Sequence, residues 1–371
     1  MKARTRGLPA PAAGYRPATA EDIATAAGVS VASVSRVLNN TGRVGAATRE
    51  RILKIAAELH YAPNAAARSL ASRRSRTIGA VIPSLENLNF AIAIDRFRKV
   101  LREQGYTLLL ANSDYDNDKE EAQIKAIAAH GVDAVMLIGS SHSAQALGFL
   151  AARRIPVMLT WSCASAPAAR PQPGALPCIG FDNFAAATQA ARYLLDLGHR
   201  QLGIIAGSTL NNDRSAARVS AVSAALAERG LPPPRIESTP ASYLVSDGKA
   251  ALHRLMRGQA AAAAPTAVLC MNDILAYGAL LAASELGLDV PGDLSVIGFD
   301  DLDFAASLSP SLTTVRIPAD AIGGTAAAYL IDSLEGRQPA PPPPLVAELV
   351  IRNSSGPPPI SRTGSPGLRR P

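Results

Sequence analysis

Three polar side chains lie on one side of a short predicted helix near the start of the chain: Ser33, Ser35 and Arg36. The segment 31–38 carries its apolar residues on the other side. A helix that exposes short hydroxyls and one guanidinium can enter the major groove of DNA, where the arginine reaches guanine or phosphate and the serines bond to bases or backbone. The residue types and their spacing therefore indicate duplex nucleic acid as the partner of this segment.

Two further helices are needed to hold the segment 31–38 in place, and the sequence predicts them at 20–27 and about 46–60. Thr19 is placed to cap the first of them, with two acidic residues in its first turn. Gly28 follows where a left-handed turn is required. Because many helical bundles place a glycine turn between two short helices, this pattern alone leaves the function open. The apolar residues expected to form the small core are Ile23, Ala26, Ala27, Val34, Val37, Leu38, Ile52, Ile55, Ala56 and Leu59.

Positive charge is concentrated in the first 76 residues, which we call the head. The head contains thirteen Lys and Arg residues against four Asp and Glu residues, a net charge of +9, whereas the whole chain has a net charge of +7. The remaining residues, the body, therefore carry a net charge of −2. A basic head on a near-neutral body is typical of a protein that binds a polyanion. A solubilising basic tail would have the same charge distribution.

Residue types that could carry out catalysis or hold a cofactor are scattered along the chain. The five histidines do not group with a cysteine, a GxSxG elbow or an HxxxH metal-binding pattern, and no GxGxxG or P-loop pattern is present. Cys163, Cys178 and Cys270 are far apart and not in zinc-ligand spacing, so we expect buried thiols without a disulfide. No catalytic residue, cofactor or metal is expected, which disfavours an α/β enzyme with a basic tail.

From Thr77 onward, short apolar runs alternate with helical stretches, a pattern that predicts βαβ units and parallel sheets. The segment 76–84 resembles 200–208, and 101–106 resembles 226–231 at the same spacing. This internal repeat predicts two similar lobes, with a ligand bound between them beyond the carboxyl ends of the strands. The predicted strands are 78–82, 107–111, 134–138 and 157–161 before a Pro-rich crossing at 167–177, and 178–181, 202–206, 267–271 and 296–299 after it.

A membrane span or a secretion signal is not predicted. The chain has no run of about 20 uncharged apolar residues, and the segment 1–17 lacks the apolar stretch of a signal peptide. We therefore expect a cytoplasmic protein without a membrane partner. This expectation disfavours a secreted binding protein of the periplasmic type, which would share the two-lobed body.

The uninterrupted string from Ala20 to Asn39 closely resembles the DNA-binding signature of the LacI/GalR (lactose-repressor) family, and the resemblance continues through 48–52 and 61–70. It implies a sequence-specific transcriptional regulator, with Val31 and Ala32 at the base-reading start of the second helix. Both side chains are apolar, so they can meet thymine methyl groups but cannot donate hydrogen bonds. The DNA contacts expected in this helical region are Thr19, Ser30, Val31, Ala32, Ser33, Ser35, Arg36 and Asn39.

The segment from Asn64 to Leu70 resembles the hinge helix of the same family, which is too short to be stable alone. The resemblance implies DNA contacts by Asn64, Ala67 and Leu70, with one hinge helix per subunit over the minor groove and Leu70 wedged between base pairs. Alternatively, Leu70 caps the core of the domain that follows.

The body resembles the sugar-sensing domain of the family at 180–183, 197–200, 271–273, 293–301 and 311–314. This resemblance implies a small-molecule effector, and the residues that it places around the effector are Arg218, Tyr243, Asn272 and Asp300. Phe90 and Trp161 are added because they lie at loop positions that can face the cleft. An arginine fork, an amide and a carboxylate suit a polyol. The segments 83–90 and 180–184 are more similar to the gluconate-repressor branch, which makes a sugar acid a candidate effector with Arg218 on its carboxylate.

Each effector residue also has a purely structural interpretation. Arg218 could lie on a helix surface, Asp300 could cap the next helix beside Asp301, and Trp161 could belong to the core. These alternatives remain open at the level of the sequence.

The predicted fold class is α/β, with an all-α helix-turn-helix head and a two-lobed, periplasmic-binding-protein-like body of parallel sheets. Because no leucine heptad is present, a homodimer is expected rather than a zipper-linked tetramer. The predicted segments are a disordered basic tail at 1–17, a DNA-binding domain at 18–63, a hinge and linker at 64–76, an effector and dimerisation domain at 77–353, and a disordered tail at 354–371. The lobes are predicted at 77–175 with 318–339 and at 176–317 with 340–353.

Overall fold

The computed structural model of the 371-residue chain describes residue 16 and residues 18–38, 41–61, 74–163, 176–240, 243–257, 264–339 and 344–359. The chain divides into two compact units between residues 75 and 76. Along the described ranges, no helix combines the length and apolarity that a membrane crossing requires. The predicted tail at 1–17, apart from Arg16 itself, and most of the predicted hinge at 64–76 lie outside the described residues.

The head contains α1 (Ala20–Ala27), α2 (Val31–Leu38) and α3 (Ala46–Glu58), as predicted. The hydroxyl of Thr19 accepts a hydrogen bond from the backbone of Asp22, whose carboxylate accepts one from the Thr19 backbone in return. This reciprocal cap satisfies two backbone donors that the first turn of a helix leaves unpaired. Gly28 ends α1 with φ 64°, a left-handed conformation that favours glycine.

The core of the head differs from the prediction at three positions. Ala24 is buried and Ala26 is exposed, because α1 contacts its neighbours through the side marked by Ile23, Ala24 and Ala27. Leu59 is 39% exposed, because α3 ends one residue before it. Val34, Val37, Ile52 and Ala56 complete the buried cluster as predicted.

The body contains two sheets with helices on their faces. The first sheet has the order β2-β1-β3-β4-β5, all parallel, and the second has the order β11-β10-β9-β8-β6-β7, with only β11 antiparallel to its neighbour. The strands are β1 (Thr77–Ile82), β2 (Thr107–Asn112), β3 (Ala134–Ile138), β4 (Val157–Ser162), β5 (Cys178–Phe181), β6 (Leu202–Gly207), β7 (Arg235–Thr239), β8 (Ala267–Cys270), β9 (Ser295–Asp300), β10 (Thr313–Arg316) and β11 (Glu348–Val350).

Lobe 1 consists of β1–β5 with three helices that follow its strands and one that returns to it late in the chain. Lobe 2 consists of β6–β11 and the remaining helices of the body. The lobe 1 helices are α4 (Leu88–Glu103), α5 (Asn117–Ala129), α6 (Ala144–Ala152) and α11 (Ala319–Leu334), which packs against α4. The lobe 2 helices are α7 (Asn183–Asp196), α8 (Asp213–Glu228), α9 (Val245–Met256) and α10 (Asp273–Glu285).

The two sheets confirm the internal repeat that the sequence predicts. We number the strands of each lobe from its first strand and read the second sheet from β7. Both sheets then have the order second, first, third, fourth, fifth, and β11 is added as a sixth strand in the second sheet. Ligands of such open parallel sheets bind beyond the carboxyl ends of the strands. The repeated topology therefore brings two such ends to one cleft.

The predicted boundary between the lobes at residue 176 is wrong. The strand Cys178–Phe181 pairs with β4 in the first sheet, with Gly180 opposite Trp161, so lobe 2 begins after Phe181. A Cβ at Gly180 would lie 2.7 Å from the Trp161 carbonyl carbon, so the two backbones approach too closely for any other residue. A short apolar run does not reveal which of two sheets it will join, because both neighbours offer the same backbone hydrogen bonds.

The predicted disordered tail begins too early. Ser354 and Ser355 are buried, the Ser354 backbone donates to the carbonyl of Ser311 at 2.9 Å, and the Ser354 hydroxyl donates to the carbonyl of Val296 at 2.6 Å. These bonds anchor the chain after β11 to the second sheet, although its Ser, Gly and Pro composition is typical of loops. Residues 360–371 lie outside the described residues.

The expectation of three free thiols is also wrong. Cys163 and Cys178 form a disulfide, with their Cα atoms 6.1 Å apart, whereas Cys270 is free and buried. The chain leaving β4 passes close to the start of β5, which the separation of 15 residues in sequence does not show.

Alkylation with iodoacetamide tests this disulfide. We expect one adduct per chain, at Cys270, when the protein is denatured without reductant, and three adducts after reduction, because a bonded sulfur cannot act as the attacking thiolate. Intact-mass measurement distinguishes the two numbers. Three adducts without reductant, in protein purified without added thiols, would contradict the disulfide.

Candidate functional site

A cavity lies between the lobes, beyond the carboxyl ends of strands from both sheets. The space inside it is about 30 Å³, well below the range of about 300–1,000 Å³ that is typical of small-molecule sites, so a ligand would need the lobes to move apart. The six residues expected to surround an effector all line it, namely Phe90, Trp161, Arg218, Tyr243, Asn272 and Asp300. The lining residues that the sequence did not single out are Asn87, Asn89, Tyr115, Asn212, Arg214, Ser215 and Met271.

The lining residues come together because each follows a strand that points at the cleft. Phe90 lies in the first turn of α4 after β1, and Trp161 lies at the end of β4 in lobe 1. Arg218 lies in α8 after β6, Asn272 lies two residues after the end of β8, and Asp300 ends β9 in lobe 2. Carboxyl ends of parallel strands share one edge of a sheet, so residues far apart in sequence converge there. The same rule could have identified Tyr115 and Asn212, which follow β2 and β6.

Arg218 is buried in the wall of the cavity rather than lying on a helix surface. Its Nε donates to Oδ1 of Asn183 at 2.9 Å, its Nη1 donates to the carbonyl of Met271 at 2.8 Å, and its guanidinium carbon lies 3.6 Å from the centre of the Phe299 ring. Among the described residues, no ion pair includes Arg218. Burial lowers the pKa of Arg218 to about 10, so the group stays charged near neutral pH.

Asn183 positions Arg218, although the sequence marked it only as part of a family motif. The Asn183 side chain accepts from Arg218 in lobe 2 and donates through Nδ2 to the backbone carbonyl of Trp161 in lobe 1, at 2.9 Å. One buried amide therefore links two lining residues that belong to different lobes.

Asn272 and Asp300 form a second polar pair in the cavity wall. Nδ2 of Asn272 donates to Oδ2 of Asp300 at 3.2 Å, and Oδ1 of Asn272 caps α10 through the Leu275 backbone. The helical turn that follows Asp300, Asp303–Ser307, has no side-chain cap, and the neighbouring Asp301 forms ion pairs with Arg316 and Arg352. The structure therefore does not support the alternative in which Asp300 caps the helix that follows it.

Aromatic side chains form two facing pairs in the wall. The Phe90 and Trp161 rings meet edge to face at 4.9 Å, and the Tyr115 and Tyr243 rings lie 5.8 Å apart. Trp161 is only 2% exposed, so it is both a buried residue and a lining residue. The Tyr243 hydroxyl accepts from Nδ2 of Asn212 at 2.9 Å. Burial raises the pKa of Tyr115 and of Tyr243, so both phenols remain protonated.

Four of the ten non-glycine residues that have a positive φ in the described part of the chain line this cavity. Tyr115, Trp161, Tyr243 and Asp300 have φ values of 59°, 73°, 50° and 138°, in the left-handed half of conformational space that non-glycine residues avoid. Such residues cost about 1–3 kcal/mol each and cluster at ligand sites, where the strain holds side chains in place before the ligand arrives. Their coincidence with the lining points to a binding role for the cavity.

Asp300 gives the folded protein a predicted dependence on pH. Burial, followed by repulsion from the Asp273 carboxylate, raises the pKa of Asp300 well above its ordinary value. The folded state therefore holds a proton that the unfolded state releases. The stability that this proton provides is fully present below the unfolded pKa of 3.8, and it is lost as pH rises through the folded pKa. We expect Asp300→Asn to raise Tm at pH 8 by at least about 2 °C, with a smaller difference toward pH 4.

Differential scanning fluorimetry from pH 4 to pH 8 measures this effect. The exposed Asp118→Asn is the matched change and should shift Tm little at any pH. Parallel Tm curves for the wild type and Asp300→Asn over the whole range would show that Asp300 is ionised in the folded protein at all these values.

In the head, the structure exposes one side of α2. Val31, Ala32, Ser35 and Arg36 are exposed on it, with Val31 at 44%, while Val34 and Val37 face the core. The hydroxyl of Ser30 accepts from the backbone of Ser33 at 3.2 Å and therefore caps α2, and that of Thr19 caps α1. Asn39, Asn64, Ala67 and Leu70, also expected to contact DNA, lie outside the described residues.

Comparison with known proteins agrees with this division of the chain. Residues 19–64 match the bacterial regulatory proteins of the lacI family, and residues 191–355 match the periplasmic binding protein-like domain. The chain is 36% identical over 327 residues to the HTH-type transcriptional repressor PurR of Yersinia pestis, which covers 87% of this chain and 92% of that protein.

Solved structures of LacI-family proteins are similar to most of the chain. A transcriptional regulator of the LacI family from Silicibacter pomeroyi superposes with a TM-score of 0.81 at 27% identity, covering 91% of this chain and 99% of the other. The lac repressor dimer bound to operator and the anti-inducer ONPF superposes with a TM-score of 0.79 at 25% identity, covering 92% and 100%.

Proposed function

This chain belongs to the LacI/GalR family of transcriptional regulators, and from that membership we propose that it is a homodimeric, operator-binding repressor controlled by a small anionic, sugar-like effector held between its lobes. The repressor relatives support a regulatory role without an enzymatic one. The proposal has two parts, the reading of DNA by the head and the sensing of the effector by the body.

For the head, we assign DNA contact to the exposed side of α2. Arg36 would reach guanine or phosphate, while Val31 and Ala32 would meet thymine methyl groups. We also assign phosphate contacts to Thr19, Ser30, Ser33, Ser35 and Asn39, and minor-groove contacts to Asn64, Ala67 and Leu70. Because a homodimer presents two copies of α2, the operator is expected to be a near-palindrome.

For the body, one observation supports an anionic effector: Arg218 is buried at the cavity wall, charged, and without an ion-pair partner among the described residues. Removing an unpaired charge from water costs several kcal/mol, and a bound carboxylate would offset that cost. The raised pKa of Asp300 favours the neutral form of this carboxyl, and no ion pair joins it to Arg218 among the described residues. We therefore propose a carboxylate on the effector, paired with Arg218.

The rest of the lining suits a hydroxylated molecule. Side-chain amides of Asn89, Asn212 and Asn272 can each donate and accept hydrogen bonds. The faces and edges of Phe90 and Trp161 can cover the apolar side of a sugar ring. A sugar acid combines the three features of charge, hydroxyls and an apolar face, so we propose this class.

Effector binding would change the angle between the lobes and thereby the separation of the paired hinge segments of the dimer. Operator affinity would follow through a coupling free energy that is typically about 1–3 kcal/mol.

Selection from a randomised pool of duplex DNA tests the proposal with the full-length chain. We expect enrichment of a near-palindromic sequence, and a change in its gel shift with gluconate that glucose does not produce. Absence of any enriched sequence would contradict the repressor assignment. An enriched sequence whose binding responds to neutral sugars, and not to any sugar acid, would contradict only the anionic effector.

A further inference from the structure

We propose that Asp213 is a positioning residue that clasps lobe 2 onto lobe 1 and holds Arg214 in the cavity wall, so that the body rests closed without an effector. This clasp, formed by Asp213, Arg214, Ser140 and the Ile138 carbonyl, goes beyond the proposed function because it depends on neither DNA nor the identity of the effector.

Asp213 bonds directly across the cleft. It is the first residue of α8 in lobe 2, and its Oδ2 accepts from both the backbone and the hydroxyl of Ser140 in lobe 1, at 3.1 and 2.9 Å. Asp213 is not needed to cap α8, because Oδ1 of Asn212 already accepts a hydrogen bond from the Ser215 backbone. The carboxylate is therefore available to hold the opposite lobe.

Arg214 completes the clasp from the same turn of α8. Its Nη1 donates to Oδ1 of Asp213 at 2.8 Å and to the carbonyl of Ile138 in lobe 1 at 3.4 Å. Burial would raise the pKa of Asp213, but Arg214 and serine hydroxyls more than offset this, so the pKa is lowered and the carboxylate stays ionised. Arg214 is itself buried and lines the cavity, so the contact that joins the lobes also orients a cation toward the ligand space.

Gly139 shows how closely the lobes meet at this point. Its φ is 92°, and a Cβ built on it would overlap both Nη1 of Arg214 and Oδ1 of Asp213. Any other residue at position 139 would have to displace the clasp. The absence of a side chain there is what lets two charged groups of lobe 2 reach the backbone of lobe 1.

The lobe 1 side of the clasp is held rigidly. One ring nitrogen of the buried His142 lies 2.9 Å from the Glu120 carboxylate, and the other lies 3.1 Å from the Gly139 carbonyl. The hydroxyl of Ser143 caps α6. These bonds fix the loop after β3 to α5, so Asp213 meets a surface that is already ordered.

The chain contains its own reporter of closure. Trp161 is the single tryptophan, it lines the cavity, and it is 2% exposed in the closed body. Acrylamide quenching of its fluorescence, measured on the full-length chain without any ligand, should therefore rise when the lobes separate. We expect Gly139→Ala and Asp213→Asn to raise the quenching constant about threefold or more over the wild type.

Gly148→Ala is the matched control, because a Cβ at this helical glycine of the same lobe meets nothing within 4 Å. We expect it to quench like the wild type. Ser140→Ala is a milder variant that keeps the test usable if Asp213→Asn does not fold. It should raise quenching, and the double variant with Asp213→Asn should add little to the single one, because both remove the same contact.

An increase in the radius of gyration by small-angle X-ray scattering should accompany the increase in quenching. Folded Gly139→Ala and Ser140→Ala proteins that match the wild type in both measurements would overturn the clasp. That result would leave the effector proposal untouched, since no effector is present in the experiment.

Discussion

Substituting Arg218 by glutamine should weaken binding of gluconate, as a representative sugar acid, about 100-fold or more. Hydrogen bonds to charged groups contribute about 1.5–3 kcal/mol each, and a carboxylate loses two of them together with the attraction of the Arg218 charge. Each 1.4 kcal/mol is a factor of ten in Kd. Glutamine keeps an amide near the Asn183 side chain and the Met271 carbonyl, so the wall remains hydrogen-bonded.

Isothermal titration calorimetry measures the change in Kd. The control is Arg229→Gln, which removes the same charge from an exposed position directly after α8, where Arg229 pairs with Asp196. We expect this control to bind gluconate like the wild type. Equal affinity of Arg218→Gln and the control would show that Arg218 does not bind the effector carboxylate, and the clasp would then have to be judged on its own experiment.

Replacing Arg36 by alanine should weaken operator binding about 100-fold or more while leaving gluconate binding unchanged. A bidentate contact between arginine and guanine is worth about 1–3 kcal/mol, and a homodimer loses two of them at once. Arg36 is exposed on α2, and its loss removes no buried contact from the core of the head. The three helices should therefore remain folded.

Fluorescence anisotropy with the oligonucleotide enriched from the randomised pool measures this loss at fixed salt. Arg102→Ala in α4 is the charge-matched control, since it lowers the net charge equally from an exposed position in the body. If Arg36 contacts phosphate rather than a base, the salt dependence of binding should become shallower and all sequences should weaken alike. Unchanged affinity would exclude α2 as the recognition helix.

The sequence predicted the local structure of this protein well, because local structure depends on neighbouring residues. The bounds of α1 and α2, the cap at Thr19 and the left-handed Gly28 follow from residue types within one or two turns. The alternation of strands and helices and the repeat between the lobes follow from apolar periodicity and spacing in the same way. Four of the six residues expected around an effector came from family resemblance, and all six line one cavity because they follow or end strands whose carboxyl ends meet there.

The features that only the tertiary structure determined depend on which distant segments become neighbours in the fold. No local pattern encodes three of these features. They are the sheet that the strand Cys178–Phe181 joins, the disulfide between Cys163 and Cys178, and the burial of Ser354. The same holds for the unpaired charge of Arg218 and for Asp213, whose partner Ser140 is 73 residues away in the other lobe. The residue type determines which bonds a side chain can make. Only packing determines which partners lie within reach and which polar groups remain without a partner.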